Sequence, residues 1–437
     1  MTSKIVVNNI ESDSGISSVT FTSDIELGTK NLKGHNLEST GIITATSFVG
    51  SGANLTNLPA GNLTGTIADA RFPSTLPAID GSNLTGVGAS FGNSSVNTSG
   101  IITATAFVST EQGSTSFRNL VHNGNMYINQ RNATSSTSTG HITCDRWRTW
   151  HYAHGATCTS SISDVASGTN PYKEGHRKAY KFAMSGSPTA ASGSSVFMAH
   201  SIEAQTVAQC GWDFKSTSSF ITVQFWVKAS HAQTYQAAFQ TPDANRNYGW
   251  SFALAANTWT KVIETIPGNS NLVFDNNADN GLDLYIAAWM GPDYDNIPTP
   301  NAWVVYDGDE YFLPHDSGWL LSSNPTFEVT GVQIEVGKVA TSYEHRSPAT
   351  ELQLCQRYYQ RWGEQRQMWM TNVNGTDHRK LVYFPTSMRA APTMNLYDQS
   401  VDGSSVSAQY VTTQGYVCRL NGNGRHAAWK HEADAQI

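Results

Sequence analysis

The sequence predicts an all-β protein made of a fibrous base, a β-sandwich and a small C-terminal domain. All twelve Trp and all seventeen Tyr follow residue 126, so that only the later part can form an aromatic-rich core. That part alternates strand-like runs with turn clusters at short spacing, as all-β domains do. A chain of 437 residues is also too long for one ordinary domain. We therefore divide it into residues 1–116, 117–348 and 349–437.

The composition excludes several classes of protein. Charged residues make up 14% of the chain and the net charge is −7, whereas binding to phosphates needs an excess of Lys and Arg. No apolar run is long enough for membrane insertion. The first residues lack the pattern of a signal peptide, which predicts synthesis in a cytoplasm. Five cysteines without a CxxC motif predict neither a disulfide framework nor a structural zinc site.

Residues 1–116, the shaft segment, predict a fibre rather than a compact domain. Of these residues, 59 are Gly, Ser, Thr or Asn, too many for one chain to bury a core of its own. A strand-like run, Gly41–Val49, recurs 59 positions later as Gly100–Val108 with eight of nine residues identical. Asn-Leu-Thr occurs three times between the two runs. Such repeats predict parallel chains that share a core around a common axis, with a trimer as the expected oligomer.

Residues 117–348 predict two sheets packed face to face. Phe327–Val336 changes its alternation phase, which predicts a β-bulge at Gly331. The clearest strand-like runs are Lys178–Met184, Phe220–Lys228, Tyr248–Leu254, Trp259–Ile266, Leu282–Trp289 and Phe327–Val336.

Residues 349–437 predict one helix followed by short strands. Ser347 and Pro348 suit the N-cap and first position of a helix, which we place over 349–362. Its apolar stripe is expected at a packing junction, against the base of the sandwich or the threefold axis. The stripe consists of Leu352, Cys355, Tyr359 and Trp362.

Several motifs resemble tail-fibre proteins of marine cyanophages and related bacteriophages. Residues 41–56 are similar to their repeats, and Asn119–Met126 is similar to the opening of a tail-fibre domain. Thr330–Gly337 is similar to the end of that domain, and Glu351–Tyr359 to the segment after it. The resemblance implies a virion fibre protein whose middle domain is a jelly roll like those of carbohydrate-binding modules. It brackets roughly residues 41–360 and does not extend to the residues after 363.

Two strands carry the candidate carbohydrate-binding residues. In Phe220–Lys228 the odd-numbered positions are apolar, which leaves Gln224 and Trp226 on the opposite face. In Leu282–Trp289 the same alternation places Asp283, Tyr285 and Trp289 away from the core. Aromatic faces stack on pyranose rings while amides and carboxylates bond the hydroxyls. The alternative is that a loop or a second subunit covers these rings.

Other polar clusters are predicted to be structural. Asp275–Asp283 is rich in oxygen but departs from the EF-hand pattern, so that a turn without calcium is expected. His151 and His154 should point to opposite faces of a strand and not chelate a metal. The carboxylates of Asp307–Glu310 are assigned to a solvated turn. No catalytic fingerprint is present, and the sequence predicts no enzyme activity, metal or cofactor.

Together these observations predict a homotrimeric tail-fibre or receptor-binding protein of a virion. The shaft segment would join the tail or baseplate, and the jelly roll would bind lipopolysaccharide or capsule on the host. Two alternatives stay open: a structural fibre of baseplate, neck or capsid without a ligand, and a polysaccharide depolymerase. The sequence predicts no nucleic-acid partner.

Overall fold

The fold is described from a computed structural model. Contacts divide the chain into residues 1–101 and 102–437, and every element named below belongs to the second unit. The shaft segment lies almost entirely outside the described residues, so that its repeats and trimer stay predictions. The described residues are 39–44, 46, 47, 49, 118–369, 377–401, 405–421 and 426–437.

The first part of this unit is a β-sandwich, as the alternation predicts. All six predicted runs are strands, with ends within two residues of their predicted positions. In chain order the strands are β1 (Ser135–Ser136), β2 (Arg148–Tyr152), β3 (Thr157–Asp164), β4 (Lys178–Ser185), β5 (Ser195–Glu203), β6 (Phe220–Ala229), β7 (Gln233–Thr241), β8 (Arg246–Leu254), β9 (Thr260–Pro267), β10 (Asn280–Met290), β11 (Trp303–Val305) and β12 (Thr326–Val336).

Two antiparallel six-stranded sheets enclose the core. Sheet I has the order β1-β3-β4-β12-β6-β9, and sheet II has the order β11-β8-β7-β10-β5-β2. Side chains such as Val223 and Phe225 of sheet I meet Trp250 and Leu284 of sheet II in one buried cluster. Strand alternation makes this possible, because every second side chain of each sheet points inward.

The predicted bulge at Gly331 is confirmed. The pairing of β12 with β6 shifts register between Thr330 and Gln333, and Gly331 has a φ of +65°. A Cβ at this position would meet His176 Nε2 at 2.6 Å. The bulge therefore requires glycine for both its conformation and its space.

The C-terminal part has a smaller core of its own. Two three-stranded sheets, β13-β18-β15 and β14-β17-β16, bury a cluster that includes Tyr416, Cys418 and Trp429. Their strands are β13 (Tyr359–Trp369), β14 (Asp377–Tyr383), β15 (Thr393–Val401), β16 (Ser405–Gln409), β17 (Gly415–Asn421) and β18 (His426–Asp434). The described helices of the unit are α1 (Asn170–Lys173), α2 (Ala204–Gln209), α3 (Gly318–Leu321) and α4 (Pro348–Gln356).

Helix α4 begins as predicted but ends six residues early. The Ser347 hydroxyl accepts a hydrogen bond from the Thr350 backbone N–H at 3.2 Å, which caps the helix. Tyr359 and Trp362 belong to β13 instead, paired with Asp434 and His431 of β18. The predicted four-residue stripe was therefore wrong in its second half. Pairing with a strand seventy residues away outweighs the local helical pattern.

Cys355, in the first half of that stripe, does lie at a packing junction. Cys355 is fully buried, and the carboxylate of Glu351 accepts a hydrogen bond from the Asn123 backbone of the sandwich. Just after the helix, Arg357 donates to both oxygens of the buried Glu203, at 2.6 and 2.7 Å. These contacts fix the C-terminal part against the end of the sandwich.

Candidate functional site

The five predicted carbohydrate-binding residues lie on two different sheets. Gln224 and Trp226 belong to β6 in sheet I, whereas Asp283, Tyr285 and Trp289 belong to β10 in sheet II. The core separates these sheets, so that their outer faces point away from each other. The expectation of one shared platform was therefore wrong.

Gln224 and Trp226 point outward from sheet I, as their strand phase predicts, but other segments cover them. Trp226 is 7% exposed, and its indole N–H donates to Glu174 Oε2 at 2.9 Å. The ammonium of Lys261 lies 5.7 Å from the Trp226 ring centroid. Gln224 is 1% exposed and donates to the Thr341 carbonyl at 2.6 Å. Both side chains thus hold neighbouring segments against the sheet.

Trp289 packs in the core rather than on the outer face. The pairing of β10 with β5 shifts register between Ala287 and Trp289, which reverses the alternation after that point. The ring joins the main buried cluster, and its N–H donates to Ser194 Oγ at 2.8 Å. The predicted binding role of Trp289 rested on an unbroken alternation, and the bulge removes that basis.

Asp283 and Tyr285 remain on the outer face of sheet II and form one polar network. The Tyr285 hydroxyl lies 2.9 Å from Gln240 Oε1 and 3.1 Å from Asp283 Oδ2. Asp283 also accepts hydrogen bonds from Ser201 and, at 2.7 Å, from Asn280. Burial raises the pKa of Asp283 above its ordinary value, although these hydrogen bonds act in the opposite direction. The network fixes the hydroxyl end of Tyr285 and leaves its ring beside a pocket.

That pocket lies over strands β2, β5 and β10 and has a volume of about 420 Å³. We call it the aromatic pocket. Its lining residues are Arg148, Trp150, Tyr152, Gly193, Ser195, Phe197, Ala199, Tyr285, Met290, Tyr294 and Tyr311.

Strand register brings these residues together. Arg148, Trp150 and Tyr152 occupy alternate positions of β2, so that all three point to the outer face. Across the sheet, Arg148 pairs with Ala199, and Ala199 pairs with Tyr285. The short Ala199 side chain between two long ones leaves room above the sheet. This arrangement explains why the face is concave here.

A segment after β10 forms one wall of the pocket. Ile297, Phe312 and Leu313 pack over Ala238 and Ala287 in a second apolar cluster, which covers the middle of the outer face. Tyr294 and Tyr311 stand at the edge of this cover, with ring centroids 6.0 Å apart. The part of the face nearest β2, the edge strand, stays open.

The rings around the opening differ in how firmly they are held. Trp150 lies 6.3 Å from Phe197 in a stacked arrangement, and Tyr285 lies 6.0 Å from Tyr311 edge to face. Tyr152 is 64% exposed at the rim. The opening thus presents aromatic surface on several sides, with fixed rings below and an exposed ring above.

Sequence reasoning found Tyr285 but missed β2. The five residues Arg148–Tyr152 do show the necessary alternation, with large side chains at positions one, three and five. The run is short and directly follows the buried residues Arg146 and Trp147, so that its alternation is difficult to recognise in the sequence. The contribution of Tyr294 and Tyr311 had no periodic signal, because neither lies in a strand.

The other polar clusters form no evident site. The turn at Ala153, with a φ of +52°, brings His151 Nδ1 within 3.2 Å of His154 Nε2, so that the predicted opposite orientation was wrong. Within the described part of the chain, no three His, Cys, Asp or Glu side chains converge as metal ligands. None of the described helices is both long and apolar enough to cross a membrane.

No family model matches the sequence, and the search of curated proteins found no relative. Solved structures with a similar arrangement include one described as "CBM4 structure and function", with 13% identity, a TM-score of 0.26 and coverage of 49% of this chain and 97% of the other. The family 11 carbohydrate-binding module of a Clostridium thermocellum cellulosomal cellulase has 11% identity and a TM-score of 0.23, with coverage of 49% of this chain and 98% of the other. A cyclase from Fischerella sp. TAU has 7% identity and a TM-score of 0.27, with coverage of 47% of this chain and 89% of the other. These identities and TM-scores are too low to assign a function to this chain.

Proposed function

We propose that the sandwich is a carbohydrate-binding head and that the aromatic pocket is its binding site. The observation that carries this proposal is the open cluster of aromatic rings on a concave sheet face. Sugar rings present apolar C–H faces that stack on such rings, and their hydroxyls need nearby polar partners. Ser195, the hydroxyls of the exposed Tyr152 and Tyr294, and the Arg148 guanidinium would provide those partners.

Hydrogen bonds and ring contacts hold two rings of the pocket in place, which favours a polar ligand that binds weakly. Binding loses less free energy when the receptor groups are already fixed. The Asp283 network holds Tyr285, and Phe197 supports Trp150. Asp283 thus keeps a place in the proposed site, as a positioning residue behind Tyr285.

In its biological setting, we propose that the protein is a tail fibre of a virion that attaches to glycan on the host surface. The resemblance of several sequence motifs to those of cyanophage tail-fibre proteins supports this setting, together with the repetitive shaft segment. The shaft would join tail or baseplate proteins as a homotrimer and raise the effective concentration of heads. A structural fibre without a ligand is the alternative in the same setting.

Binding of host polysaccharide tests the proposed site. The full-length protein should bind extracted capsule or lipopolysaccharide, and Tyr152→Ala should weaken that binding roughly tenfold, by loss of a stacking ring. Tyr383→Ala is a matched control, since Tyr383 is 67% exposed in the C-terminal part. Unchanged binding by Tyr152→Ala and Trp150→Ala would contradict the assignment of the pocket.

The same incubation separates binding from cleavage. A binding head leaves the length of the polysaccharide unchanged. Release of reducing ends that disappears on replacement of an Asp or Glu would instead support the depolymerase alternative, which needs a pair of carboxyl groups around the bond.

A further inference from the structure

Arg148 stands out among the residues of the aromatic pocket. It is the first residue of β2, the edge strand of sheet II, and its side chain is exposed. Its guanidinium carbon lies 4.7 Å from the centroid of the Trp150 ring. Stacking on a firmly packed ring reduces the conformational freedom that an exposed arginine otherwise has.

The guanidinium has its hydrogen-bonding capacity available. Arg148 is the one residue with a charged side chain among the described residues that line the pocket. No ion pair in the described part of the chain includes it. Asp283 acts on Arg148 electrostatically, but its carboxylate already accepts bonds from Ser201, Asn280 and Tyr285. A second carboxylate, Asp293 beside Gly193 at the rim, accepts a hydrogen bond from Ser192 at 2.9 Å.

We propose that the pocket selects a saccharide with an anionic group, which Arg148 binds while the sugar ring stacks on the aromatic side chains. This inference rests on the proposed carbohydrate-binding function. A guanidinium matches the two oxygens of a carboxylate or sulfate with parallel hydrogen bonds. A uronic acid and a sulfated sugar share this chemistry.

Because the chain as a whole is negatively charged, binding of an anionic sugar needs a local cation such as Arg148. A protein of net charge −7 repels an anionic polymer at long range. Screening limits that repulsion to about 10 Å at ordinary salt, so that a local cation decides the interaction at contact. Selectivity would then depend on one arginine rather than on a basic surface.

Matched ligands separate the charge from the sugar ring. The probes are alginate oligosaccharides, which carry a carboxylate on each unit, and the same oligosaccharides after reduction of the carboxyl groups. Dextran sulfate and dextran form the corresponding sulfated pair. Wild type should bind at least one anionic probe roughly tenfold more tightly than its neutral counterpart, as expected for a charge-assisted hydrogen bond.

Arg148→Gln should remove this preference, because it weakens binding of the anionic probe far more than binding of its neutral counterpart. Arg148→Lys should retain part of it, because lysine keeps the charge but not the fork of donors. Arg177→Gln is the matched control, since Arg177 is also exposed and lies 3.8 Å from the Tyr172 ring, away from the pocket.

The outcomes distinguish failure of the inference about charge from failure of the proposed carbohydrate-binding function. Equal binding of charged and neutral probes by wild type, or an unchanged preference in Arg148→Gln, overturns the inference about charge. If Tyr152→Ala still weakens binding in that case, the carbohydrate-binding function stands. If wild type binds none of the four probes, the inference is wrong for both kinds of anionic sugar.

Discussion

At the scale of single residues, one bulge decides which aromatic side chains of β10 could meet a ligand. Tyr285 precedes the register shift and keeps its outward position, whereas Trp289 follows it and points into the core. Both residues have odd numbers, and simple alternation assigned them to the same face. The two rings therefore differ in role although they lie four residues apart in one strand.

Trp289→Ala should destabilise the fold rather than only weaken binding. Removal of a buried tryptophan leaves a cavity and costs about 3–5 kcal/mol. The Ser194 hydroxyl, 2.8 Å from the indole nitrogen, also loses its partner. Chemical denaturation of wild type and variant measures the difference. A variant with wild-type stability would show that the ring is not in the core.

At the scale of elements, the end of helix α4 joins the two parts of the described unit. Burial alone raises the pKa of Glu203, but hydrogen bonds from Arg357, Tyr358 and Gln205 outweigh it and lower the pKa below 4.5. A carboxyl group whose pKa is lower in the folded than in the unfolded state stabilises the fold above the unfolded pKa. This stabilisation is lost as the pH falls through the folded pKa.

Arg357→Gln should therefore destabilise the protein by about 3–5 kcal/mol at neutral pH, because it leaves a buried carboxylate without its cation. The difference from wild type should shrink as the pH falls below 4.5, the ordinary pKa of a glutamate. Thermal unfolding between pH 3 and pH 7 measures both effects. The double variant Glu203→Gln/Arg357→Gln should lack this pH dependence, and an equally large pH-dependent loss in it would contradict the pairing.

Gly331→Ala tests the bulge in β12. An L-residue at a φ of +65° is strained, and its Cβ would displace the buried His176 ring. We expect a loss of more than about 1 kcal/mol in the free energy of unfolding. Gly363→Ala is a suitable comparison, because space is open around that position and its φ is not positive. Equal effects of the two substitutions would contradict the role given to Gly331.

At the scale of the whole molecule, the main prediction concerns assembly. The shaft segment lacks Trp, Tyr and Cys, and this composition predicts that a single copy buries too little apolar surface to order itself. Three parallel chains around one axis would share a core and leave no free sheet edges along the shaft. Three heads on one fibre would then compensate for weak single-site affinity.

Multi-angle light scattering of the full-length protein should give a mass close to three chains. Removal of residues 1–116 should lower the mass to that of one chain if the shaft segment holds the trimer. A stable monomer of the intact protein with a folded N-terminal segment would contradict the shared-core argument.

The sequence alone determined the all-β class of the fold and six of its strands. Alternation of apolar residues placed six strands and the Gly331 bulge, and Ser347-Pro348 placed the start of α4. These features depend on local spacing, turn chemistry and capping, which a sequence shows directly. The alternation also placed Tyr285 and Asp283 correctly on an outer face, whereas the glycan-binding role predicted for them stays a proposal.

Only the tertiary structure decided which side chains share a surface. Trp226 and Tyr285 both point outward from their strands, yet the strands belong to opposite sheets. The aromatic pocket combines β2, β10 and an irregular segment about 140 residues from β2, and the C-terminal half of the predicted helix became β13 through pairing with β18. Pairing across long sequence separations and the register shift before Trp289 follow from packing of the whole chain, which local patterns do not contain.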